Sequence, residues 1–120
     1  MADVLFGVNA GRTFGLGHLQ RCLSLATALR RSGAASVFLT NRQPPAAHER
    51  VRRWGFAGRT VETETAWSTQ DGDETVACAR AEGCRIIVVD SDDEGADYLG
   101  QLRRAGLWVG AIEDGVPSAT

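Results

Sequence analysis

Val4-Leu5-Phe6-Gly7-Val8, followed a few residues later by Gly15-Leu16-Gly17-His18-Leu19-Gln20-Arg21-Cys22, sets the fold class of this chain. The first run is short and apolar, as in a buried strand. The second is a glycine turn that opens an amphipathic stretch, Leu19 to Leu29. A strand, a glycine turn and a histidine at the mouth of a helix is an arrangement that presents a reactive group to a ligand. Glycines let backbone approach that ligand and take positive φ. The helix N-terminus offers unpaired N–H groups and the positive end of a dipole to an anion. The same dipole disfavours an imidazolium, so His18 is a candidate general base. The third glycine of a dinucleotide fingerprint is missing, since Gln20 stands there, and no NAD site is read.

The pattern beyond this point alternates strand and helix. Val4–Asn9 reads as the first strand. His18–Ser32 reads as a helix, with Leu19, Cys22, Leu23, Ala26 and Leu29 on one face and Gly33 as its stop. The spacing then predicts a strand at Ser36–Thr40, a short arginine-rich helix at Ala46–Trp54 ended by Gly55, and a strand at Gly58–Val61. Glu62–Gly72 is polar without a period and reads as a loop. Asp73–Glu82 reads as a helix along which Val76, Ala77 and Arg80 are spaced. Arg85–Asp90 is a β-branched run suited to a strand covered on both faces. A helix over Gly95–Ala105 and a strand over Leu107–Glu113 complete the series. This is an α/β chain: a Rossmann-like parallel sheet with right-handed crossovers and helices on both faces.

Length and composition bound the rest. The chain's 120 residues make one compact domain. With 43% hydrophobic and 23% charged residues it has the profile of a soluble globular protein. The net charge of -2 gives no reason to expect a nucleic-acid or membrane partner. All 13 basic residues are arginine, which excludes Schiff-base and P-loop lysine chemistry. No apolar run is long enough to span a bilayer, and Met1-Ala2-Asp3 does not read as a signal peptide. Cys22, Cys78 and Cys84 are odd in number and lack metal spacing, so reduced thiols in a cytoplasmic protein are expected. Cys22 lies on the apolar helix face and reads as core.

Strand ends supply the remaining candidates. Asn9 and Asp90 both close strands, at the carboxyl edge where open α/β sheets bind ligands. Asp90-Ser91-Asp92 could hold a divalent cation, but Asp92 to Glu94 are read more simply as complementing the dipole of the next helix. Arg21 is either a solvated helix residue or one that buttresses the loop or approaches a phosphate or carboxylate. His48, Arg50, Arg52 and Arg53 read as surface residues of a charged helix, the arginines with the option of bordering a cleft. Trp54, Trp67 and Trp108 read as core or loop-anchoring residues.

The run Val8 to Ala26, with Gly15-x-Gly17-His18, two residues, then Arg21-Cys22 and a Leu/Ala helix, resembles a known family. It is similar to the N-terminus of the UDP-sugar hydrolases of pseudaminic acid biosynthesis and of the related spore-coat polysaccharide proteins. Val88-Val89-Asp90 and Ile112-Glu113-Asp114 match two further, more generic strand ends. The sequence departs from the family pattern at Asn9, where the family has aspartate, and at Ser91 and Asp92, where His-Tyr is common. The resemblance implies one half of a glycosyltransferase-B architecture. Residues 1–120 would be the N-terminal domain, and the nucleotide-binding C-terminal domain would be a separate unit or a partner chain. It implies a UDP-sugar as substrate, His18 as the base that activates water at the anomeric carbon, and a cytoplasmic place in surface-glycan or nonulosonic acid synthesis. Gly15 and Gly17 would shape the loop, and Asn9, Arg21 and Asp90 would bind substrate. No cofactor or metal is implied. Two other readings remain: an acceptor-binding domain of a glycosyltransferase, in which His18 deprotonates an acceptor hydroxyl, and a non-catalytic sugar or nucleotide binding module.

Overall fold

A computed structural model describes residues 2–8, 17–40, 45–61, 68–90 and 96–112. In chain order the elements are β1 (Val4–Val8), α1 (Gly17–Arg31), β2 (Ser36–Thr40), α2 (Pro45–Arg53), β3 (Ala57–Thr60), α3 (Thr69–Glu82), β4 (Ile86–Asp90), α4 (Ala96–Arg104) and β5 (Trp108–Ile112). The strands form one sheet in the order β3-β2-β1-β4-β5, and every pairing is parallel. The chain steps outward from β1 to β2 and β3. It then returns through α3 to the other side of β1 and continues to β5. Right-handed crossovers in two opposite directions put helices on opposite faces.

The core divides accordingly. On one face Val4, Phe6, Val8 and Phe38 meet Leu19, Cys22, Leu23 and Ala26 of α1 and Ala47 and Val51 of α2. On the other, Leu5, Val37, Leu39, Ile87 and Val89 meet Ala79 of α3 and Tyr98 and Leu102 of α4. Consecutive residues of β1 feed alternate clusters, and all five are buried. That two-sided demand is why the central strands read as unbroken apolar runs. Phe6 and Phe38 stack at 4.9 Å between centroids, and Phe56 tilts against Phe38 at 5.4 Å. The Arg30 guanidinium caps this stack, 4.4 Å from the Phe56 centroid, and donates to the Trp54 carbonyl at 3.3 Å. Gly33 and Gly55 close α1 and α2 at φ of 94° and 84°, a left-handed turn that favours glycine.

Four expectations need correction. First, α3 starts at Thr69, not Asp73, because Ser68 caps it by accepting the Asp71 N–H at 3.1 Å. The buried positions of α3 are Asp71, Gly72, Thr75 and Ala79, which carry no apolar period to read. Polar bonding satisfies them instead. Thr75 donates to the Asp71 carbonyl at 2.8 Å, and with that proton used the Tyr98 hydroxyl donates to Thr75 across 3.0 Å. Second, β3 lies one residue earlier than expected, at Ala57–Thr60, in register with Val37–Thr40. Third, His48 is not a surface residue. It is half-buried against Gly58, where a Cβ would come within 2.9 Å of the imidazole Cε1. Fourth, Trp108 is 67% exposed rather than core, because β5 is an edge strand. Cys22 is core as expected, and all three thiols are free. Trp67 lies outside the described residues.

Gly72 fixes how α3 and α4 approach. A Cβ there would run into the Gln101 carboxamide. Gln101 uses Nε2 to donate to the Thr69 carbonyl at 3.2 Å and to Asp73 Oδ1 at 2.8 Å. Gly72→Ala should therefore destabilise the fold by about 1 kcal/mol net, because the two lost bonds outweigh the helix propensity gained. In Gln101→Ala the same substitution should become neutral or stabilising, a coupling that denaturant melts of the four variants would read.

Burial also governs the thiols behind α3. It pushes Cys84 up to about 11, with Cys78, Glu82 and Asp3 adding in the same direction. Cys78 is raised too, by burial first and Glu82 second. A folded-state pKa above the unfolded value leaves stability intact below the unfolded pKa and removes it as pH rises through the folded one. Stability should thus fall between pH 9.0 and about 11. Cys84→Ala should flatten that part of the profile in melts taken across the range.

Candidate active site at the sheet switch point

The order β3-β2-β1-β4-β5 reverses direction between β1 and β4. In open α/β sheets the crevice outside the carboxyl ends of the strands at such a point takes the ligand. Val8 at the end of β1 pairs with Asp90 at the end of β4, and on its other side with Thr40 of β2. Val8 and Asp90 thus close the two strands that flank the switch. Asn9, Gly15 and Ser91 to Glu94 lie outside the described residues, as do the side chains of His18 and Asp90.

Gly17 and His18 are the first two residues of α1, one position earlier than the expected helix start. The helix packs back on β1, β2 and β4, the two strands of the switch point among them. The first turns of α1 and α2 carry no acidic residue, whereas α3 has Asp71 and α4 has Asp97 in theirs. The first turns of α1 and α2 thus supply no carboxylate of their own to offset the helix dipoles. Arg21, one turn into α1, is half-buried and engaged in an interaction, so it is not the freely solvated alternative.

One link was not legible beforehand. Arg50 of α2 reaches across to Gln20 of α1, donating to its Oε1 at 3.5 Å. It ties α2 to the first turn of α1 and sets a guanidinium beside that turn. Arg50 read as a solvated charge with the option of bordering a cleft, and nothing local marks its contact with a residue 30 positions away. Arg52 and Arg53 are exposed as expected, with Arg53 paired to Glu49 one turn away. Among the described residues no group of histidine, cysteine and acidic side chains is arranged to hold a metal ion. No helix of the described residues is long and apolar enough to cross a membrane.

The fold defines the class. It is a Rossmann-like parallel α/β fold, similar to part of solved glycosyltransferase structures. The chain superposes on MurG of Acinetobacter baumannii with a TM-score of 0.73, at 10% identity, over 98% of its length and 37% of that protein's. It superposes on a glycosyltransferase from Rickettsia africae with a TM-score of 0.70, at 9% identity, over 99% of its length and 31% of that protein's. It thus spans about a third of the length of these two structures. No family model and no curated relative matches the sequence.

Proposed function

We propose that this chain is the acceptor-binding half of a glycosyltransferase-B type enzyme, with His18 as the general base. The observation that carries the reading is the position of His18. It is the second residue of the helix that follows β1, at a switch point whose other strand ends in Asp90. Likeness in fold to a glycosyltransferase supports transfer over the hydrolysis that the motif resemblance suggests. In this reading a nucleotide-sugar is held by a second domain or partner chain, and its anomeric carbon is presented across a cleft. The acceptor hydroxyl lies against the α1 first turn. His18 removes its proton as the oxygen attacks, and the nucleoside diphosphate leaves from an oxocarbenium-like centre. Gly15 and Gly17 let the backbone come close. Asn9 and Asp90 bind hydroxyls of the sugar, and Arg21 steadies a phosphate or carboxylate beside the first turn of α1.

The division of labour is testable on this chain alone. Amide chemical shifts in a titration with UDP-N-acetylglucosamine should barely move, because nucleotide contacts belong to the other half. Tight nucleotide binding centred on Gly17 to Arg21 would assign this chain to the donor side instead.

A further inference from the structure

We propose that the cavity between α3 and α4 binds a neutral, hydroxyl-rich ligand, a saccharide unit, on the face of the sheet opposite α1. The proposal does not rest on the reading of His18, which belongs to the other face. The cavity holds about 500 Å³ and is lined by Ser68, Thr69, Asp97, Tyr98, Gln101 and Arg104. That volume falls within the range of about 300–1,000 Å³ usual for small-molecule sites.

Its walls are held in place by bonds already described. Gln101 is pinned by its two donated bonds to Thr69 and Asp73, and Gly72 leaves the space its carboxamide occupies. Tyr98 is buried and fixed through Thr75. Such prior ordering removes part of the entropy that a ligand would otherwise have to offset.

The lining selects by charge and by hydrogen bonding. Among the described residues it holds one carboxylate, Asp97, and one guanidinium, Arg104, whose charges balance, so net charge favours neither an anion nor a cation. Among the described residues that line it, Tyr98 is the one aromatic wall and none is aliphatic, so nothing in that set favours an apolar ligand. What fits is a ligand whose groups both donate and accept. Sugar hydroxyls do this: they can donate to the Asp97 carboxylate, accept from the Arg104 guanidinium and exchange either way with Ser68 and Thr69.

The test is an amide chemical-shift titration of the intact chain with methyl β-glucoside, with methyl β-glucuronide and glucosamine as anionic and cationic probes of the same ring size. The expected result is saturable movement of the Thr69, Asp97, Gln101 and Arg104 amides with the neutral glycoside. Binding should weaken about tenfold in Asp97→Asn, the equivalent of one charge-assisted bond, and also in Gln101→Ala, which loosens the wall that Gln101 pins. Because Gln101→Ala also unties α3 from α4, the exposed Asp97→Asn variant separates ligand contact from folding. Three results would overturn the proposal: no saturable shift at these amides, equal or better binding of the glucuronide or glucosamine, or affinity unchanged in Asp97→Asn. Shifts confined to the α1 first turn would overturn it too, while leaving the His18 reading standing.

Discussion

Replacing His18 with alanine is expected to lower kcat of the full-length enzyme by about 10²–10⁴-fold, the usual contribution of a positioned general base. The fold should survive, since alanine is a better helix former than histidine and the site is the second residue of α1. Melting temperature should therefore hold while turnover falls. A structural role would show the opposite split, with KM and stability moving together. His18→Gln sharpens the test: glutamine keeps hydrogen-bonding capacity but takes no proton at these pH values. If the imidazole is the base, the glutamine variant is as slow as the alanine one. A glutamine variant with near-normal kcat would reduce His18 to a positioning residue.

Phe38→Ala is the largest expected stability effect. Phe38 has no exposed surface and sits between Phe6 and Phe56 in the α1/α2 core. Removing a buried aromatic side chain costs about 3–5 kcal/mol through lost burial and the cavity left behind. Folded domains hold only about 5–15 kcal/mol in all. The melting temperature should drop by roughly 10–25 °C, judging from the usual shift per kcal/mol for a domain of this size. Phe38→Leu keeps most of the volume and should cost about 1.5 kcal/mol or less, so the pair separates packing volume from mere apolarity. A loss below about 1 kcal/mol in the alanine variant would mean that the two-ring stack does not anchor this core.

Much of the fold was readable because its signals are local. Ile86-Ile87-Val88-Val89 is β-branched throughout, which suits a strand between two helical layers. Leu19, Cys22, Leu23 and Ala26 repeat at helical spacing and are all buried. Gly33 and Gly55 end their helices where a left-handed residue is needed. The misses have one physical origin: stabilisation by partners distant in sequence. The first turn of α3 looks like loop because its buried residues are Asp71, Gly72 and Thr75, whose packing depends on Tyr98 and Gln101 of another helix. His48 looks like surface in a charged helix until Gly58 of β3 takes its ring. Trp108 looks like core until the strand order makes β5 an edge. The site divides in the same way. Gly17-His18 at a helix start and Asp90 at a strand end are local signals, and both stand at those element ends, the helix beginning one residue earlier than expected. The switch point between them, and the Arg50–Gln20 link beside it, depend on topology.

The central claim is that this half serves an acceptor rather than water. The most direct measurement is release of nucleoside diphosphate from a panel of UDP-sugars by the full-length protein, with and without a mixture of glycan and lipid-linked acceptors. The reading expects release that depends on acceptor and is lost in His18→Ala. Release at the same rate in water alone would contradict it and return the chain to the hydrolase reading that its motif suggests.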